Sequence, residues 1–119
     1  MGKVKTVEEK KWRHGDVYGI ASTIDVTTLK TNGKKIVGAE SNILAYGEVT
    51  GHKHELDCEP TQFQRYEMEG KKYLVVFSEG GVAIKHAEHG IGIIPIGVWE
   101  ERIDREFDYL THEYRPVGD

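Results

Sequence analysis

Residues 41–54 read SNILAYGEVTGHKH. Ile43, Leu44, Ala45 and Val49 make the first part apolar, and the run leads into His52-Lys53-His54. Short apolar runs bounded by turn residues fit buried strands, whereas helices need ten residues or more. Read as a strand, the stretch marks a β fold. It also puts His52 and His54 on one face, because strand side chains i and i+2 point the same way. Gly47 and Gly51 flank this region and mark bulges or close backbone approaches.

Working outward, the same period recurs. Asp16–Ile20 reads as the first core strand. Val26–Leu29 and Lys35–Val37 flank Thr31-Asn32-Gly33-Lys34, and Asn-Gly tolerates the positive φ of a type I′ turn, which predicts a hairpin. Residues 57–62 are a loop by composition. Phe63–Met68 turns through Glu69-Gly70-Lys71-Lys72 into the apolar strand Tyr73–Phe77, closed by Gly80-Gly81. Val82–Ile84 leads to His86. Gly90–Ile96 and Val98–Ile103 complete the sheet, with the donor-less Pro95 at an edge or turn. Phe107–Val117 reads as a last hairpin or strand. Residues 1–11 are polar, and Thr6-Val7-Glu8-Glu9 fits a capping box, so this segment is either a short helix or a frayed arm. Short β segments, frequent turns and 14 glycines predict one all-β domain over residues 1–119, a β-sandwich or barrel.

Composition narrows the partners. The net charge is −4, with Lys and Arg dispersed, which argues against a nucleic-acid scaffold held by phosphate neutralisation. Cys58 is the only cysteine. No internal disulfide can form, so a reducing, cytoplasmic setting is expected. There is no 18-residue apolar run for a membrane span, and residues 1–11 lack the apolar core of a secretory signal. Exposed edges of small β domains are often paired, so a homodimer is expected.

The chemistry lies in the histidines. His52 and His54 form one pair and His86 and His89 another, so four of the six histidines fall in two tight pairs. Neutral imidazole is a ligand for a divalent transition metal such as zinc, iron, manganese or nickel. A catalytic site needs a third protein ligand and an open position. His86, His89, Glu59 and Glu100 are the candidates to complete it. His86 and His89 share a side only on a helical turn or tight loop. Solvated surface histidines are the competing reading. Other chemistries have less support. The Cys58 thiolate is disfavoured by Asp57 and Glu59. The serines lack a nucleophile elbow, and the glycines form no phosphate loop.

His52-x-His54 followed by Glu59 resembles the first motif of the cupin superfamily, and Gly90 with Pro95-x-Gly97 resembles the second. That resemblance implies a jelly roll with His52, His54, Glu59 and Glu100 as metal ligands, Glu100 standing where the motif has histidine. A broader resemblance covers nearly the whole chain. Arg13-x-Gly15-Asp16-Val17, Gly47-Glu48-Val49-Thr50-Gly51-His52-x-His54, His86-x-Glu88-His89-Gly90, Pro95-x-Gly97-Val98-Trp99, Arg105-Glu106-Phe107 and Arg115-Pro116-Val117-Gly118-Asp119 resemble a family of short bacterial and phage proteins of unknown activity. It places the weight on His52, His54, His86 and His89, with Glu48 or Glu88 orienting an imidazole.

Three functions follow as expectations. The first is a metal-binding domain, with metal-assisted chemistry on a small-molecule substrate of unread class. The second is a non-enzymatic accessory or interaction module of a phage or mobile element. The third, least supported by the charge, is a metal-dependent nuclease.

Overall fold

The computed structural model describes residues 10–46, 53–87, 89–108 and 113–116. Strands β1 (Lys11–His14) and β2 (Val17–Ala21) form a hairpin. Its two-residue loop has positive φ at Gly15 (65°), as a type II′ turn requires. Helix α1 (Val26–Asn32) follows, then β3 (Lys34–Lys35), β4 (Ile43–Tyr46), β5 (Lys53–Leu56), β6 (Phe63–Met68) and β7 (Lys71–Val76). The chain continues through β8 (Val82–His86), β9 (Gly90–Ile94), β10 (Gly97–Ile103), β11 (Arg105–Asp108) and β12 (Glu113–Pro116).

A six-stranded sheet has the order β1-β2-β10-β7-β6-β3, and a four-stranded sheet the order β4-β5-β8-β9. β11 and β12 pair as a separate hairpin. The fold is all-β and antiparallel. Trp12, Val17, Leu74, Val76 and Trp99 of the larger sheet pack against Leu56, Val82, Ile84 and Ile94 of the smaller in one buried cluster. That shared core makes the domain a β-sandwich. A cupin jelly roll would divide eight strands between two sheets; here the division is six to four.

The other face of the larger sheet is covered by α1. Leu29, fully buried, packs with Tyr66, Tyr73 and Val75. Here the expected hairpin gives way to a helix. Val26 and Leu29, three apart, share a helical face, and both pack in this second cluster. Burial overrides the strand propensity of Val26, Thr27 and Thr28. Asn32-Gly33 ends the helix instead of turning a hairpin. Gly33 has φ −96° and donates its N–H to the Leu29 carbonyl, 2.8 Å away. A Cβ there would lie 2.7 Å from that oxygen. The I′ turn is at Glu69-Gly70, where both φ values are positive (54° and 80°) and Met68 pairs with Lys71.

Arg65 ties the elements together. It is buried, with Nε and Nη2 2.7 and 2.6 Å from the two Glu101 carboxylate oxygens. Its Nη1 donates to the carbonyl oxygens of Glu40, Ser41 and Ile43. The stretch 41–54, expected to run as one strand into the histidine pair, instead contributes two, β4 and β5, which pair antiparallel with Ala45 opposite His54. The remaining sequence-expected elements stand with shifted ends, and β1 is an addition. The Thr6–Glu9 capping box lies outside the described residues.

Candidate metal centre

Strand alternation builds the site. In β5, Lys53 is exposed while His54 and Leu56 are buried; in β8, Val82, Ile84 and His86 are buried. The Glu55–Lys85 register, continued one step, sets His54 opposite His86. Their rings stack with centroids 4.2 Å apart. β8 and β9 pair up to His86 and Gly90, and His89 lies within 4.7 Å of His86, ring to ring. From the opposite sheet, β1 delivers His14, whose ring centroid is 5.3 Å from His54, 6.0 Å from His89 and 6.4 Å from His86. Four imidazoles from both sheets thus meet at one end of the sandwich. His14, His54 and His86 are buried, whereas His89 is exposed.

Two of the polar contacts constrain a proton. His14 Nε2 is 2.9 Å from the carbonyl oxygen of Gly90. A carbonyl only accepts, so the His14 proton sits on Nε2. His54 Nε2 is 3.1 Å from Asp16 Oδ1, itself buried in the β1–β2 loop. The contact has ion-pair distance but not hydrogen-bond geometry, so it does not fix the His54 tautomer. The backbone amide of His89 donates to His86 Nδ1 at 3.3 Å. His14 Nδ1 and His54 Nδ1 are 3.1 Å apart; with the His14 proton on Nε2, its Nδ1 accepts from whichever His54 tautomer carries hydrogen on Nδ1. Neutrality is favoured. Burial pushes the His14 ring below the ordinary 6.5 despite the Gly90 carbonyl. His54 falls to about 4, by burial first and the neighbouring His86 second, against the pull of Asp16.

Two glycines leave room for these rings. A Cβ on Gly15 would lie 2.6 and 2.7 Å from His89 Cδ2 and Nε2, and 3.0 Å from His54 Cε1. One on Gly92 would lie 3.1 Å from His14 Cδ2.

The donor set fits a transition metal. Two imidazole nitrogens on a tetrahedral zinc, each about 2.0–2.1 Å from it, are about 3.3 Å apart, close to the 3.1 Å between the two Nδ1 atoms. Among the described residues, no group of three or more histidine, cysteine, aspartate or glutamate side chains is arranged so that it could hold a metal ion. The His86 and His89 rings stand beside the His14–His54 pair.

Of the residues read from the sequence, His54, His86 and His89 come together. His52, Glu48 and Glu88 lie outside the described residues. Glu100 is engaged by Arg102 Nε at 2.9 Å. Glu59 opens a capping box with Gln62. His14 and Asp16 were missed as site residues. Their signal is the turn itself: polar ligand types on both sides of Gly15 place two donors at a hairpin tip. A cleft of about 410 Å³ between Val17, Leu44 and Ile103 is rimmed by Lys71, Lys72 and Arg102, and none of the four histidines lines it.

A β-sandwich with an interior histidine cluster defines the class of protein. The chain belongs to the family described as a domain of unknown function, DUF8820, whose sequence model matches residues 13–104. That span includes all four clustered histidines. Comparison with curated proteins gave no match. Comparison with solved structures gave none either.

Proposed function

We propose that this domain binds a divalent transition metal ion through His14 and His54, completed by His89 and, once its Nδ1 gives up the His89 amide, by His86. The Asp16 carboxylate, 3.1 Å from His54 Nε2, orients that ring by its charge. The observation that carries this reading is the 3.1 Å approach of the His14 and His54 Nδ1 atoms inside a cluster of four converging imidazoles. A cation between them replaces that one contact by two ligand bonds, with both Nδ1 atoms unprotonated. When bound, such an ion supplies Lewis acidity toward a small oxygen ligand or water. The exposed His89 is the side from which that ligand reaches it.

A second reading keeps the metal but makes it structural, in a non-enzymatic accessory module. It is favoured by the burial of three of the four rings and by the absence of histidine from the lining of the 410 Å³ cleft. Zinc, iron, manganese and nickel all suit imidazole. The lone Cys58 suits a reducing compartment.

Elemental analysis of tag-free protein, with thermal melts before and after chelation, tests the proposal. We expect near-stoichiometric metal, lost in His14→Ala and His54→Ala. Metal-free protein that also ignores added zinc, manganese, iron and nickel sinks it. Cobalt substitution separates the two readings: azide shifts the visible spectrum of an open site and leaves a closed one unchanged.

A further inference from the structure

The sheet edges differ in how they are protected. Solvent-facing edge strands offer unpaired N–H and C=O groups, and proteins blunt them with charge, proline or brevity. In the six-stranded sheet, one edge is β1, with Lys11 and Arg13, and the other is β3, two lysines long. Among the described residues, one edge of the four-stranded sheet is β9, whose sequence Gly90-Ile91-Gly92-Ile93-Ile94 has neither charge nor proline. Ile91 and Ile93 are 74% and 60% exposed. Their register partners are Lys85 and Ala83, so both stand on the outer face of the smaller sheet, while Ile94 points into the core.

We propose that β9 is a self-association edge, pairing antiparallel with β9 of a second copy to join two four-stranded sheets into one of eight. A second copy fits for reasons of symmetry and charge. β9 carries no charge for a partner to complement, and an isologous contact needs only a patch that matches itself. Placing the two-fold axis at Gly92 sets Ile91 against Ile93 of the partner subunit and Ile93 against Ile91 of the partner subunit. Both are apolar cross-strand pairs. The same axis carries the partner subunit's Pro95 toward His89, the exposed ring of the histidine cluster. A five-residue strand covers far less than the ~800 Å² per partner of a standard interface, so the dimer is weak, with a dissociation constant in the micromolar range. This inference is independent of the metal reading.

Sedimentation velocity over roughly a hundredfold range of concentration around micromolar tests it, on protein with and without chelator. We expect the mean mass to rise from monomer toward dimer. Ile93→Lys, which places a charge on the edge, should remain monomeric with an unchanged melting temperature. Val37→Lys alters another exposed apolar residue, 67% exposed and away from β9, and should associate like the native chain. A native chain that stays monomeric throughout, an Ile93→Lys variant that still dimerises, or a Val37→Lys variant that does not, overturns the assignment.

Discussion

His54 is fully buried, yet it has one nitrogen against a carboxylate and the other against a second imidazole. A buried imidazolium is costly, so the folded protein holds His14 and His54 neutral where the unfolded chain begins to protonate them. The folded values lie below 6.5, at about 4 for His54. Between those limits the unfolded state binds more protons, so stability rises with pH. It is fully present above about pH 6.5 and is lost as the pH falls toward 4. We expect the urea midpoint of chelated protein to drop between pH 7 and pH 4.5, and to drop less in His54→Gln; equal slopes would remove His54 as the cause. Gly15 is the other sensitive residue. Alanine at its φ of 65° costs roughly 1–2 kcal/mol in backbone strain alone, and the added methyl meets the His89 ring at 2.6 Å. Gly15→Ala should lower stability by more than 1 kcal/mol and weaken metal uptake together. Loss of stability with full metal affinity would show that the glycine serves only the turn.

At the scale of elements, what was legible was what has a local cause. Strands β6 to β8 and β10 follow from dense apolar runs, and the Glu69-Gly70 turn follows from its glycine. The approach of His89 to His86 follows from their tight spacing. What was not legible depends on distant partners. Val26–Asn32 is a helix because Tyr66, Tyr73 and Val75, some forty residues on, offer Leu29 a place to bury; no local pattern reports that. β1 lies almost wholly past the segment 1–11 read as an arm or short helix, and no strand was read there because its buried residues, Trp12 and His14, alternate with charges over only four positions. For the same reason His14 was not seen as a site residue, since its partner lies forty positions away in the other sheet. The Arg65–Glu101 pair is equally invisible in the sequence. Both side chains are nearly inaccessible, at 2% and 6%, so removing one leaves a buried charge unmatched. Arg65→Ala should cost about 3–5 kcal/mol by chemical denaturation. The double replacement Arg65→Met with Glu101→Leu should recover much of it, because burying the pair was itself expensive. A single variant costing under 1 kcal/mol would show that the network relaxes into solvent.

For the whole molecule, the histidine cluster is a bridge between the two sheets. His14 belongs to the six-stranded sheet through β1, while His54 and His86 belong to the four-stranded sheet through β5 and β8. An ion held by both resists their separation, and because the unfolded chain has no such arrangement, its binding energy becomes folding energy. At metal a hundredfold above the dissociation constant, linkage gives about 2.7 kcal/mol. For a domain of this length that corresponds to a rise of about 10 °C in melting temperature. The cross-sheet geometry makes the prediction sharper than metal binding alone. In His14→Ala the metal-induced rise, measured against that variant's own chelated form, should shrink to a few degrees, as it should in His54→Ala. If His14→Ala keeps the whole rise while His54→Ala loses it, the ion sits within the smaller sheet and bridges nothing. Glu59→Gln and Glu100→Gln supply the opposing arm, since the cupin resemblance makes both residues ligands. Glu59 is instead engaged in its own capping box and Glu100 by Arg102, so both variants should retain the full rise.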